Sequence, residues 1–502
     1  MRQFILLTSL LLSSCMVGPN YVRPAVQIPE TFKEAPEGWK MAQPQDACPR
    51  GAWWTVFNEP DLSDLEYKLN ISNQNILASI AQYDQAKALV LQATAAFFPT
   101  LGGSGSVTRQ KQALSSLTTG DATSPTTDTT VANNNSVFDL YNVTLDATWV
   151  PDLWGAIRRN VASTVATAKA DAAQVALTKL LAEASLAQYY FQIRGLDTDQ
   201  ILLDDTVNNY EKILKITLNQ YKAGTASRLN VVQAQSVLEV AKASAIDNGV
   251  NRAVYEHAIA VLIGVPPSLF TYAPNPLVHK EVFIPVDVPS QWLERRPDVA
   301  QAERAMAAAN ELIGVAVAAY FPVLTLTGTF GYQAEHLYRL FRDPSQFWSL
   351  GAQLADVIFD AGLRSAQIDQ ARGVYNQAVA TYKQTVLTAF QDVEDNLATL
   401  RILEKEEKVL NEAVVSAQWA LKIALNEYKA GTIQLLDVLN AEVTAYTAQK
   451  NANDVLVRKL VSAALLAKAL GGGWDINQLP TYGCCTCEQN KTCPEKGDKS
   501  CQ

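Results

Sequence analysis

Cysteine thiols are the most reactive side chains in this 502-residue sequence, and most of them lie at its C-terminal end. Clustered thiols can oxidise to disulfides or bind a metal ion. The order Cys-Cys-x-Cys lacks the paired spacing of familiar metal sites. We therefore predict disulfides, within this tail or to neighbouring envelope proteins, and no assigned metal site; a metal site in the tail is the alternative. The cysteines concerned are Cys48, Cys484, Cys485, Cys487, Cys493 and Cys501.

Disulfides need an oxidising compartment, and the N-terminal stretch MRQFILLTSLLLSSC predicts export to one. A charged Arg2 precedes an apolar run, Phe4 to Leu12, which is typical of a secretory signal and too short to span a bilayer. The end of the stretch resembles a bacterial lipobox, which implies that Cys15 is acylated and becomes the new N-terminus. A plain signal peptide with a chance cysteine is the alternative. Met16, where inner-membrane lipoproteins often have Asp, favours anchoring in the outer membrane.

Catalytic chemistry is not indicated. The sequence has no Gly-x-Ser-x-Gly, His-Glu-x-x-His or Gly-Lys-(Ser/Thr) motif. Its three histidines, His257, His279 and His336, are scattered without metal-ligand spacing. We predict no enzyme and no cofactor. The net charge of −9 also argues against a nucleic-acid partner.

The chain repeats itself. The phrase Leu-Asn-(Gln/Glu)-Tyr-Lys-Ala-Gly-Thr occurs at Leu218–Thr225 and again at Leu425–Thr432, and AFFPTLGGSGSVT from Ala96 has a counterpart in AYFPVLTLTGTFG from Ala319. Self-similarity in this order predicts a tandem duplication of one unit: helix, strand, loop, strand, long helix, phrase, helix. We divide the chain into a signal peptide, a lipidated extension, two repeats and a cysteine-rich tail, at residues 1–14, 15–61, 62–285, 286–473 and 474–502.

Long helices must position the repeated phrases. Before each phrase, Ala-rich seams at three- and four-residue spacing run for about 65 residues, or roughly 100 Å of helix. We allow a break near Gly195. Such helices are too long for a compact domain, so the sequence predicts extended, packed or coiled helices.

The predicted strands have two unlike faces. VLTLTGTFGYQ (Val323–Gln333) alternates bulky with small or polar residues, and Val137–Val150 and Phe347–Ile358 are also predicted strands. Aromatic residues cluster at their ends, as in outer-membrane barrels. Two half-buried hairpins in a soluble domain are the alternative. Because four strands cannot close a barrel and lipid does not tolerate open edges, a membrane location requires several copies of the chain.

Four motifs in order resemble the outer-membrane efflux lipoproteins of the OprM/TolC type. They are CMVGPNYVRP from Cys15, WWTVFNEPDLSDL from Trp53, WLERRPDVAQAE from Trp292 and the AYFPVLTLTGTFG stretch. The resemblance covers Cys15 to Gly473. It implies an α+β membrane protein of two tandem repeats, a homotrimer whose strands complete a 12-stranded outer-membrane β-barrel and whose helices form a periplasmic α-barrel.

The same resemblance implies partners: outer-membrane lipid, a periplasmic adaptor (membrane fusion) protein and an inner-membrane pump of the RND type. The channel is then a passive exit duct for small molecules. The outer-membrane duct of a type I protein secretion system is one alternative function, and a non-conducting, cross-linked envelope lipoprotein is another. Trimerisation and ion conductance distinguish the last from a channel.

In this family the repeated phrase forms the periplasmic tip of each helix pair, with Gly224 and Gly431 as hinges. The family often has an acidic residue six positions after that glycine, which narrows the pore. This chain has Asp437 there in the second repeat and Asn230 in the first. The resemblance therefore implies one ring of three Asp437 carboxylates. The candidate constriction residues are Asp437, Leu436, Tyr428, Asn230 and Asn440. Asp437 as a solvated carboxylate and Tyr428 as a packing residue are the alternatives.

The Arg-Arg-Pro-Asp motif has a local explanation. Pro297 suits the first turn of a helix, and Asp298 places negative charge where the helix dipole favours it. We expect it to start a helix and to be structural.

Overall fold

A computed structural model of the chain describes residues 16–25, 29, 32–34, 52–111, 137–277, 296–474 and 479–480. The chain divides into two compact units. Unit 1 comprises Met1–Val22, Ala86–Ala166 and Met306–Ala378, and unit 2 comprises Arg23–Gln85, Thr167–Ala305 and Val379–Gln502.

Unit 1 contains a four-stranded antiparallel sheet. Its strands, in the order β1-β2-β3-β4, are Thr100–Lys111, Val137–Trp149, Val323–Ala334 and Gln346–Ala355. The hairpin of each repeat contributes two neighbouring strands, and β2 pairs with β3 to join them. Within this sheet β1 and β4 each have one neighbour, so each has an unpaired edge.

The register confirms the predicted two unlike faces of the sheet. One row across all four strands consists of Gly102, Asp146, Thr329 and Ser349. The adjacent row consists of Gly103, Leu145, Phe330 and Trp348. Successive residues of a strand point to opposite faces, so the first row lies on a polar face and the second on an apolar one.

Each face of the sheet has its own chemistry. On the polar face Thr329 donates a 2.8 Å hydrogen bond from Oγ1 to Oδ1 of Asp146, and the hydroxyls of Ser104 and Thr144 lie 2.8 Å apart. On the apolar face Trp348 is 70% exposed within the single protomer. A large exposed apolar surface of this kind marks an interface with lipid or protein.

Strand β4 ends at Ala355, three residues before the predicted end at Ile358. Arg364 accounts for the difference, because its Nη1 lies 3.3 Å from Oδ1 of Asp356 and its guanidinium also donates to the Val357 carbonyl. These contacts join the two residues after Ala355 to Arg364, the second residue of the next helix.

Seven α-helices lie within the described residues. They are α1 Pro60–Ser72, α2 Gln74–Ala95, α3 Ala156–Lys222, α4 Arg228–Leu262, α5 Pro297–Ala318, α6 Leu363–Ala430 and α7 Leu435–Ala469. The element order α2-β1-β2-α3-α4 recurs as α5-β3-β4-α6-α7. None of these described helices is long and apolar enough to cross a membrane.

The two long helices, α3 and α6, have 67 and 68 residues, or roughly 100 Å each. The allowed break near Gly195 is wrong, because α3 continues through it. A Cβ on Gly195 would lie 2.4 Å from Cγ2 of Val457 on α7. Asn453, also on α7, donates to the Gly195 carbonyl (2.9 Å) and to Oδ1 of Asp199 (2.7 Å). Gly195 thus permits close helix packing.

The Arg-Arg-Pro-Asp motif begins α5 at Pro297, with Asp298 in the first turn, as predicted. The sequence did not show that Arg296 is 7% exposed and joins three elements. Its Nε donates to Asp298 (2.9 Å), its Nη2 lies 3.3 Å from Asp392 of α6, and its Nη1 donates to the carbonyl of Ala469 at the end of α7 (3.1 Å).

Candidate functional site at the interhelical turns

The two repeated phrases form turns of the same geometry. Gly224 follows α3 with φ of +78°, and Gly431 follows α6 with φ of +77°. L-residues avoid this left-handed region, which glycine enters without a Cβ clash. The Gly224 amide donates to the Tyr221 carbonyl, and the Gly431 amide to the Tyr428 carbonyl, at 3.0 Å each. These are the bonds of a glycine C-cap.

The threonine of the phrase completes each cap. The amide and hydroxyl of Thr225 donate to the Gln220 carbonyl, at 2.9 and 3.0 Å. Those of Thr432 donate to the Glu427 carbonyl, at 3.0 and 2.9 Å. The repeated Gly-Thr therefore has a complete local explanation, since it satisfies carbonyls that the end of a helix leaves without partners.

Asp437 and Asn230 occupy the third position of the helices that leave the turns. Oδ2 of Asp437 accepts a 3.1 Å hydrogen bond from the backbone amide of Gln434, the residue that precedes α7. In repeat 1, Ser227 caps α4 by accepting from the Asn230 amide (3.3 Å). The Ser227 hydroxyl also lies 3.1 Å from Oδ1 of Asn230. Both positions are capping positions, which sequence reasoning missed.

Three of the candidate residues share an exposed face of α7. Leu436 is 62% exposed, and Asp437 and Asn440 are exposed as well. Asn440 lies four residues after Leu436 and three after Asp437, spacings at which side chains on a helix are neighbours, so these three form one surface. Their neighbours Val438 and Leu439 are buried in the protomer. We call Leu436, Asp437 and Asn440 the α7 face.

Tyr428 lies elsewhere. Its side chain is 3% exposed, and its hydroxyl is 2.6 Å from that of Thr217 on α3. Gln220 of the same helix donates from Nε2 to the Tyr428 carbonyl (3.1 Å). The geometry supports the packing interpretation of Tyr428, because both contacts join α6 to α3 inside one protomer.

A hydrophobic cluster joins the helices of both repeats beside the turns. Its buried members are Tyr210, Ile213, Ala234, Leu238, Ala241, Tyr428, Leu435, Val438 and Leu439. They come from α3, α4, α6 and α7. The residues of α7 beside the α7 face therefore pack into this hydrophobic core.

Glu442 is a charged residue near the turns that sequence reasoning missed. It lies on α7, is 2% exposed, and its Oε1 accepts a 3.1 Å hydrogen bond from Nδ2 of Asn209 on α3. Burial raises the pKa of Glu442 and the nearby Asp205 adds to the increase, while Asn209 and Lys212 oppose it. No motif marks this position, since its partner lies in the other repeat.

The cysteine predictions lie outside the described residues, both the lipidation site Cys15 and the disulfide candidates Cys48, Cys484, Cys485, Cys487, Cys493 and Cys501. Within the described ranges, no group of three or more His, Cys, Asp or Glu side chains is arranged to hold a metal ion.

A hairpin sheet with one apolar face and paired helices of roughly 100 Å define the class of outer-membrane channel proteins with helical extensions. The model of the outer membrane efflux protein family matches residues 65–265 and 288–472. The chain belongs to this family, and it is an outer-membrane efflux channel.

Individual relatives agree with this assignment. The chain is 30% identical over 446 residues to the pyoverdine export outer membrane protein OpmQ of Pseudomonas aeruginosa, covering 88% of this chain and 91% of OpmQ. It is similar to the open state of the Neisseria gonorrhoeae MtrE outer membrane channel, with TM-score 0.77, 26% identity and coverage of 91% and 98%. The Campylobacter jejuni CmeC outer membrane channel shares the fold, with TM-score 0.84, 22% identity and coverage of 92% and 96%.

Proposed function

We propose that three copies of the chain form one channel, in which their sheets close a 12-stranded barrel and their helices an α-barrel. The unpaired edges of β1 and β4 support this, because an open edge leaves backbone groups without partners in lipid. The two unlike faces of the sheet support it as well. In a closed barrel the row with Leu145 and Trp348 contacts lipid and the row with Asp146 and Thr329 lines the water-filled interior.

The channel serves as the exit duct of a tripartite efflux system for small molecules. Nothing in the sequence indicates a nucleotide site, so the energy for transport comes from an inner-membrane pump of the RND type, reached through a periplasmic adaptor. Acylation of Cys15 anchors the chain in the outer membrane, and the tail cysteines form disulfides.

The α7 face forms the constriction, with one ring of three Asp437 carboxylates. The observation that carries this proposal is that Leu436, Asp437 and Asn440 are exposed in the protomer, whereas Val438 and Leu439 beside them are buried in a packed core. Three carboxylates around one axis attract cations and repel anions. Gly224 and Gly431 are the hinges about which the helix ends move.

Single-channel recording tests this function. The purified mature protein is reconstituted in a planar bilayer beside Asp437→Ala, after its mass in detergent has been measured. We expect a trimer with a small, cation-preferring conductance that increases in the variant. A monomeric mass, or an identical conductance in both proteins, would overturn the proposed constriction, and a trimer without conductance in either protein would favour a structural lipoprotein.

A further inference from the structure

Two buried carboxyl groups meet where α1 packs on α3, far in sequence from the interhelical turns. Glu66 of α1 is 0% exposed, and Glu183 of α3 is 3% exposed. Trp53 and Asn70 also contribute polar groups, and Lys179 stands one helical turn before Glu183. We call these residues, Trp53, Glu66, Asn70, Lys179 and Glu183, the carboxyl junction.

The junction has too few hydrogen-bond donors for two carboxylates. Nε1 of Trp53 donates to Oε2 of Glu183 at 3.1 Å. The other oxygen, Oε1 of Glu183, and both oxygens of Glu66 have no hydrogen-bond partner in the described structure. The ammonium of Lys179 is 3.8 Å from Oε1 of Glu183, beyond hydrogen-bond distance, and its side chain is 46% exposed.

Two negative charges in this arrangement would be very unfavourable. A buried carboxylate without donors loses its hydration and gains nothing in return. Two neighbouring carboxylates repel each other as well, and such pairs bind a proton that removes one charge. A proton on Glu66 removes one of the two buried charges and turns one of its unpartnered acceptors into an O–H donor.

We propose that Glu66 binds a proton beside Glu183 in the folded protein, which makes the carboxyl junction a proton-binding site where α1 packs on α3. Glu66 is the protonated partner. Burial raises its pKa well above the ordinary value, the charge of Glu183 raises it further, and Lys179 opposes both. Burial also raises the pKa of Glu183, but Lys179, Trp53 and Asn70 all oppose the increase, so Glu183 has more partners for a negative charge.

A metal cation is a less suitable occupant. Hard cations such as Ca²⁺ take six to eight oxygen ligands, and Mg²⁺ takes six including several waters. The junction offers three unpartnered carboxylate oxygens and Oδ1 of Asn70. Glu66 is sealed from solvent, and the nearby Lys179 adds positive charge. A proton needs none of these ligands.

Proton binding makes the stability of the junction depend on pH. The folded state holds a proton that an unfolded carboxyl releases above its ordinary pKa of about 4.3. Where the folded state binds more protons than the unfolded state, stability falls as pH rises. The stabilisation is complete at acid pH and is lost progressively as pH increases above the unfolded value. The attachment of α1 is therefore firmest in acidic surroundings.

Two measurements on the purified full-length protein test the proposal. The first is infrared spectroscopy in D₂O at neutral pH, where a protonated carboxyl gives its own carbonyl stretching band. We expect this band in the wild type and its loss in Glu66→Gln, whose amide imitates the neutral acid. A wild-type spectrum without the band would overturn the proposal whether or not the variant folds.

The second measurement is the melting temperature as a function of pH, with Glu239→Gln on the exposed surface of α4 as the matched control. We expect the melting temperature of Glu66→Gln to increase relative to that of the wild type as pH rises. The difference in melting temperature between Glu239→Gln and the wild type should stay constant. A difference in melting temperature that does not change with pH would overturn the bound proton. So would one equivalent of tightly bound metal that Glu66→Gln loses.

Discussion

At the scale of single residues, alanine at position 437 cannot separate the helix cap of Asp437 from its proposed charge in the constriction, whereas asparagine can. Its carboxylate accepts from the Gln434 amide, and its side chain is exposed on the α7 face. Replacement by Ala removes the cap and the charge together. Replacement by Asn removes the charge but leaves an oxygen of nearly the same shape that can still accept the amide bond.

We therefore predict that Asp437→Asn reduces the cation preference of the channel about as much as Asp437→Ala does. Only Ala should lose the cap, at a cost of about 1 kcal/mol per protomer. Reversal potentials in a salt gradient measure the cation preference, and thermal unfolding measures the stability lost with the helix cap. An unchanged reversal potential in Asp437→Asn would leave Asp437 as a helix cap alone.

At the scale of helices and strands, replacing a mid-helix glycine by alanine changes stability in opposite directions, depending on whether another side chain lies against the glycine. Gly195 of α3 faces Val457 of α7 at a distance too short for a Cβ, whereas Gly249 of α4 has no atom within 4 Å of a Cβ in the protomer. Alanine is the better helix former by about 1 kcal/mol. The sign of the stability change on Gly→Ala substitution therefore reports whether the new Cβ is tolerated by the packing.

We predict that Gly249→Ala stabilises the protein and that Gly195→Ala destabilises it by about 1–3 kcal/mol, as overpacking does. Val457→Ala should reverse most of the loss when combined with Gly195→Ala, because it removes the atom that the new Cβ meets. A double-mutant cycle of thermal stability measures this coupling. Additive effects would show that Gly195 does not set the approach of α3 to α7.

Local sequence patterns predicted the structural features that depend on residues close together in the chain. The two faces of the sheet, the length of α3 and α6 and the start of α5 at Pro297 all follow from periodicity or from a single turn. The contact of Gly195 with Val457 and the buried partners of Arg296 could not be predicted, because each joins residues far apart in the chain. Those contacts are set by packing.

The candidate site shows the same division. The helix after Gly431 followed from the repeated phrase, and the turn was implied by the family resemblance. The burial of Tyr428 against Thr217 and of Glu442 against Asn209 followed from neither. Each of those pairs joins one repeat to the other. A duplicated sequence shows that two similar units exist, but the side chains that meet between them are specified only by the folded structure.

At the scale of the whole molecule, a pore requires assembly. One protomer presents a sheet with two unpaired edges and an exposed α7 face, and neither forms a pore alone. The proposed constriction requires that three α7 faces converge on one axis and that the corresponding residues of repeat 1 do not. Asp437 and Asn230 occupy matching positions in the two repeats, so they offer a matched pair for a test.

The most direct measurement is block of single-channel current by Cd²⁺ in Asp437→Cys, with Cys48 and the five tail cysteines replaced by Ser. Thiolates that converge on one axis bind this soft cation together. We predict a reversible block in Asp437→Cys and none in Asn230→Cys in the same background. A channel that conducts freely in Cd²⁺ with Cys at 437, or that is blocked equally with Cys at 230, would contradict a constriction formed by the α7 face.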